Sequence, residues 1–102
     1  MARVALTDAA SADESGILTD LQQHAGQRTV VRYRRLFRDF YVHLAAHPAI
    51  GSRRPALGQN IRIGVIAPDI IIYRYYENDQ TIMVMRIVHG RRRMAGEMLG
   101  DV

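Results

Sequence analysis

The sequence predicts an α+β domain in the order β-α-α-β-β-β, an antiparallel sheet packed against a helical hairpin. Three observations predict it. Residues 27–46 repeat apolar side chains at helical spacing. Gly26 separates that stretch from an earlier helical one. Beyond residue 60 the apolar period drops to two and is interrupted by two turn signals.

Residues 3–7 alternate around Val4 and Leu6 and read as a short strand, with Asp8 as the N-cap of the helix that follows. The first helix places Ala9, Ala12, Ile17, Leu21 and Ala25 on one side, although Gly16 weakens it by ~1 kcal/mol relative to alanine. Gly26 suits the position after a helix, where φ > 0 is favoured. The second helix is the better one. Val30, Tyr33, Phe37, Phe40, Tyr41 and Leu44 form its apolar stripe, while Arg28, Arg32, Arg35 and Asp39 lie largely on other faces. Pro48 ends it. With so little chain between them, the helices form an antiparallel hairpin over about 9–46. Residues 51–59 read as a loop. Ile61, Ile63 and Val65 then alternate with Arg62 and Gly64, and Ala67-Pro68-Asp69 makes a turn. Residues 70–76 are β-branched and aromatic, residues 77–80 turn again, and residues 81–88 form a last strand. The resulting β-meander spans about 60–89, and a short tail covers 90–102. Each element is expected to bury one apolar face, leaving the other face of the sheet outward with some of Arg62, Arg74 and Arg86 on it.

A chain of 102 residues holds one domain with one modest core. No apolar run reaches the ~18 residues needed to cross a bilayer, and the N-terminus does not read as a signal peptide. The expectation is a cytoplasmic protein without membrane association. The absence of cysteine excludes disulfides, thiol catalysis and thiolate metal sites. All 14 basic residues are arginine, a planar, permanently charged, bidentate partner for phosphate or carboxylate. They are unevenly placed. Residues 1–26 hold one arginine against four acids, a net −3, and residues 27–102 hold 13 against six, a net +7. The basic part is expected to attract nucleic acid or an acidic protein segment.

Several constellations have a bland reading beside a sharp one. His43 and His47 stand at i, i+4, but no third ligand accompanies them as catalytic zinc requires, so no metal is expected. No cofactor is expected either. His89 is a general-base candidate or a turn residue packed on the sheet. Tyr73, Tyr75 and Tyr76 form either a stacking platform or alternate between core and sheet edge. Arg91, Arg92 and Arg93 form a target-binding cluster or a solvated charge run.

The ordered set of short motifs resembles the RelE/ParE toxin superfamily of type II toxin–antitoxin systems. Leu6-Thr7-Asp8-Ala9-Ala10 is similar to its opening strand and first turn of helix. Leu44-Ala45-Ala46-His47-Pro48-Ala49-Ile50-Gly51 is similar to the end of its second helix and exit turn. Residues 57–62 resemble its entry into the sheet, and Tyr73-Arg74 its aromatic-arginine pair. Arg86-Ile87-Val88-His89-Gly90-Arg91-Arg92 resembles its closing strand and basic turn.

The resemblance implies a toxin neutralised by a cognate acidic, ParD-like antitoxin in a hetero-oligomer. In the RelE-like branch it implies a ribosome-dependent messenger-RNA endoribonuclease, for which Arg62, His89 and Arg92 would be the catalytic candidates. The third-strand basic position of that branch falls on Ile70 and its tail position near Met98, so two expected groups are missing. The pattern fits the ParE-like branch better. That branch implies inhibition of DNA gyrase by binding rather than by enzymatic catalysis, and a part in plasmid stabilisation. By position, Arg91, Arg92, Arg93 and Met94 are the target-binding candidates. Arg62, Arg74, Arg86, Phe37 and Tyr41 are the antitoxin-binding candidates. A nucleic-acid-binding α+β module without toxicity is the remaining alternative.

Overall fold

The computed structural model describes residues 1–89. Residues 90–102, with Arg91, Arg92, Arg93 and Met94 among them, lie outside the described residues, as does the side chain of His89. The chain runs β1 (Arg3–Leu6), α1 (Asp8–Ala25), α2 (Gln27–Ala46), β2 (Ser52–Arg53), β3 (Ile61–Ile66), β4 (Asp69–Tyr76) and β5 (Thr81–His89), with one 3-10 turn at Pro55–Leu57.

Thr7, not Asp8, caps α1. Its hydroxyl oxygen accepts from the Ala10 backbone N–H at 3.0 Å, and Asp8 lies in the first turn, where a carboxylate favours the helix dipole. Gly26 alone separates the helices and has φ +86°, the left-handed region that glycine enters without penalty. The apolar stripe of α2 is where its periodicity predicts. Val30, Phe37 and Leu44 are buried, and Tyr33, Phe40 and Tyr41 pack against the same core. The inward face of α1 differs from the expectation. Ala10 is its buried residue and Ile17 and Leu18 pack on the core, whereas Ala12 and Ala25 are exposed. Alanines on several faces give that helix too weak a stripe to settle its phase.

The sheet order is β1-β5-β4-β3-β2. β3, β4 and β5 form the antiparallel meander, and β2 extends it beyond β3. β1 departs from the all-antiparallel expectation by lying parallel to β5, with Arg3 to Leu6 beside Thr81 to Val84. No turn joins these two strands, so no local signal in the sequence sets their relative direction.

The sheet is apolar on both faces, which corrects the expectation of one outward polar face. Facing the helices, Ile66, Ile71, Tyr73, Ile82, Val84 and Ile87 join Phe37 and Leu44. On the other side Leu57, Ile61, Ile63, Ile72, Met85 and Val88 form a second buried cluster. The central strand β4 therefore carries Ile70, Ile71 and Ile72 in succession, the uninterrupted apolar run of a strand covered on both sides. Parity changes within β5. Tyr73 faces Val84 and Ile72 faces Arg86, leaving Met85 as the extra residue of a bulge. Ile82 and Val84 before the bulge, and Ile87 after it, can thus share one core.

Candidate functional site

The loop leaving α2 is fastened to the sheet by two polar side chains from neighbouring strands. The Tyr73 hydroxyl donates to the Pro48 carbonyl at 2.9 Å and accepts from the Gly51 N–H at 2.9 Å. Arg62 lies opposite Tyr73 on β3, and its Nη1 donates to the carbonyls of Ala49 at 3.0 Å and Gly51 at 2.8 Å. Burial raises the Tyr73 pKa, against the lowering effects of the Gly51 hydrogen bond and the Arg62 charge. Arg62 holds this corner together, and Tyr73 is fully buried rather than a stacking surface.

A second polar cluster closes the edge of β5 beyond the end of β1. The Thr7 N–H donates to the Val84 carbonyl at 3.0 Å, and its hydroxyl donates to the Met85 carbonyl at 2.7 Å. Further along, Asp13 of α1 accepts from the Ile87 N–H at 3.0 Å, from Arg86 Nε at 2.7 Å and from Arg86 Nη2 at 3.0 Å. The bidentate pair raises the Arg86 pKa, chiefly through the Asp13 hydrogen bonds. Asp13 thereby occupies backbone that would otherwise be an open strand edge. The sequence pattern does not reveal this role, because the pair is 73 residues apart.

Phe37 is 1% exposed and sits inside the core, out of a partner's reach on the closed domain. Tyr41 is half-buried and donates to Glu14 at 2.5 Å, tying α2 to α1. Its pKa is pushed far above the ordinary tyrosine range, first by burial, then by the Glu14 hydrogen bond and charge. A group held neutral in this way contributes stability in full below the ordinary value of 10. That contribution is withdrawn as pH rises from 10 toward the raised folded value, since only the unfolded chain releases the proton there. Thermal melts from pH 8 to 11 should therefore show stability falling above about pH 10, with a shallower fall in Tyr41→Phe. An identical fall in that variant would refute the assignment.

Arg74 lies on the face away from the helices, with Nε donating to the Gln59 carbonyl at 3.2 Å. His43 and His47 have ring centroids 4.9 Å apart, and no cluster of three or more metal-ligating side chains occurs among the described residues. An open groove is bordered by Arg53, Arg62, Tyr75, Tyr76, Glu77 and Asp79. Its two arginines face two carboxylates, so it has no net attraction for an anion. The outer face of α2 does: Arg28, Arg32, Arg35 and Arg38 are all exposed there, with Arg34 exposed on the side toward α1. None of them joins an ion pair among the described residues.

The family model for the ParE toxin of the type II toxin–antitoxin system parDE matches residues 4–94. The chain belongs to the ParE toxin family. Among solved structures, it resembles a chain of the chromosomal ParDE toxin–antitoxin system of P. aeruginosa, with TM-score 0.71 and 19% identity over 87% of this chain and 96% of that one. It also resembles a chain of the RelBE2 toxin–antitoxin complex of Mycobacterium tuberculosis, with TM-score 0.60 and 20% identity over 86% of this chain and 96% of that one. At these identities the two structures establish the shared fold. No curated protein sequence matches the chain.

Within this ParE-family fold, the positions considered for RNA cleavage are not equivalent. Ile70, expected from the sequence to hold the third-strand position of the RelE-like pattern, is apolar. It lies between Val65 and Val88 on adjacent strands and packs on the second apolar cluster. Arg62 is held by two backbone carbonyls. His89 ends β5, and Arg92 lies outside the described residues. Among the described residues, no helix is long and apolar enough to cross a membrane.

Proposed function

We propose that this ParE-family chain is a toxin that inhibits DNA gyrase by binding it, in the cytoplasm, and that a cognate acidic antitoxin neutralises it. One observation carries the choice of binding over cutting. Strand β4 presents Ile70, packed among Val65, Val88 and the second cluster, where an RNA-cleaving relative would need a cation to stabilise developing phosphate charge. An antitoxin partner is supported by the two toxin–antitoxin complexes whose chains share the fold. The excess of arginine supplies the charge complement for an acidic segment that folds on binding.

Arg91, Arg92, Arg93 and Met94 are the proposed gyrase-contacting residues. Arg74, beside the second apolar cluster and engaged by the Gln59 carbonyl through Nε, is the strand arginine proposed to meet the antitoxin directly. Arg62 and Arg86 act there only through the surfaces they brace. Purified chain in excess should block gyrase supercoiling and accumulate cleaved DNA complexes. Unchanged supercoiling, or primer extension showing cuts within codons after induction, would overturn the reading. Changing Arg91, Arg92 and Arg93 together to alanine should restore growth on expression while the chain still melts in one cooperative transition. Persistent toxicity would remove the tail from the proposed site.

A further inference from the structure

We propose that the outer face of α2 binds the phosphate backbone of duplex DNA, independently of base sequence. Arg28, Arg32, Arg35 and Arg38 follow one another at i+4, i+3 and i+3 along this helix. At 3.6 residues per turn they fall within about 120° of arc and span about 15 Å of axis. All four are exposed, as is Arg34 beside them. Neighbours at i+3 and i+4 are in contact range, and like charges there repel and destabilise the helix. A carboxylate one turn away relieves such repulsion, yet α2 holds only Asp39, and no ion pair to it forms among the described residues. The helix thus maintains a repulsive row of guanidinium groups with no carboxylate paired to it among the described residues. Elsewhere arginines are engaged within the fold: Arg86 pairs with Asp13, and Arg62 and Arg74 donate to backbone carbonyls.

The shape of the face selects the polyanion. Val31, Leu36 and Val42 are the aliphatic residues exposed on this helix, at 52%, 42% and 61%, and they are scattered over three helical turns. They do not make the contiguous apolar stripe that an amphipathic peptide needs for anchorage. The face is convex, and a convex helix fits the ~12 Å major groove of B-form DNA, with arginines reaching the phosphates on either side. Guanidinium meets phosphate in bidentate fashion. The row offers a single side-chain type at helical spacing, and its guanidinium groups are matched to the repeating phosphates that flank the groove. The expected mode is therefore backbone contact without sequence preference.

The test uses the full chain and a fluorescently labelled 20-base-pair duplex of arbitrary sequence, followed by anisotropy across a salt series. Binding should lie in the range of about 1–100 μM near physiological salt, the usual span for sequence-independent contacts. The quadruple variant R28Q/R32Q/R35Q/R38Q should show a dependence of log K on log[salt] shallower than the parent's by about 3.6, the release expected for four phosphates. Each single glutamine should account for about 0.9 of that difference. In R91Q/R92Q/R93Q the contribution of α2 should persist. An unchanged thermal melt in the quadruple variant separates lost contact from lost fold. Equal slopes in parent and quadruple variant would overturn the proposal. So would binding to labelled poly-glutamate that is tighter than to the duplex and lost in the same variant, which would identify an acidic polypeptide as the occupant. The assay contains no gyrase, so its failure leaves the proposed target untouched and its success does not depend on it.

Discussion

Replacing Phe37 by alanine should lower the stability of the domain by about 3–5 kcal/mol, the range for truncating a buried aromatic side chain. At about 4 °C per kcal/mol for a domain of this size, the melting temperature should fall by about 12–20 °C. Phe37 is the largest side chain that α2 buries completely, and it stacks on Tyr41 with ring centroids 6.4 Å apart. It joins the one cluster that contains residues of both helices and of the strands β1, β3, β4 and β5. Ile71, Tyr73, Ile82 and Val84 of the same cluster belong to the central strand β4 and to β5 beside it, which cannot shift inward without breaking the ladder between them. The cavity should therefore stay open, which places the cost near the upper end of the range. Urea titration with a shared m-value for parent and variant measures it. A loss below about 1 kcal/mol would mean that α2 is held to the sheet by something other than this core.

The second helix was legible because its apolar residues are large and confined to one face. Val30, Phe37 and Leu44 lie seven residues apart, and the helix cannot bury them except together. The meander was legible for a similar reason: short turns join its strands, and their β-branched residues resist helix. What escaped were features that depend on distant parts of the chain. The parallel pairing of β1 with β5 joins residues 3–6 to 81–84. The second apolar cluster was obscured because Val65 continues the alternation of Ile61 and Ile63 yet is itself exposed near the end of β3. The bulge at Met85 changes the parity of β5, so an alternation counted through residues 82–88 assigns half of them to the wrong face.

The site residues divide along the same line. Side-chain type identified arginine as the residue of interest, but not what each arginine is engaged with. Arg62 and Arg86 have the chemistry of ligands for an anion and instead bind backbone carbonyls and Asp13. Their partners are 11 to 73 residues away, beyond any local pattern. Phe37 belongs to the apolar stripe and is for that reason unavailable to a partner. The arginines of α2 carried a usable signal, because helical phase alone places them opposite Phe37 and Leu44. Their isolation from carboxylates became visible only with the packing of both helices.

Replacing Gly51 by alanine should destabilise the domain by about 3 kcal/mol or more, at or beyond the upper end for overpacking a well-filled site. A Cβ at this position would lie 2.5 Å from the Tyr73 hydroxyl oxygen and 2.6 Å from the Ile63 carbonyl oxygen. The first obstacle is a side-chain tip, but it is held by the Pro48 carbonyl and by the N–H of residue 51 itself. The second is backbone in the strand that pairs with β2 and β4, and it has little room to yield. Tyr73→Phe separates the two obstacles. Alone, it should cost about 1–3 kcal/mol by leaving the buried Gly51 N–H without its acceptor. Combined with Gly51→Ala, it removes the nearest clash and leaves those with the Ile63 carbonyl and with ring Cε1 at 2.9 Å, so the double variant should fall short of the summed losses by about 1 kcal/mol or more. Additivity within about 0.3–0.5 kcal/mol would show that the Ile63 carbonyl and the ring, and not the tyrosine hydroxyl, set the requirement for glycine. The predicted shortfall would instead establish that the hydroxyl of Tyr73 shapes the corner where α2 hands the chain to the sheet.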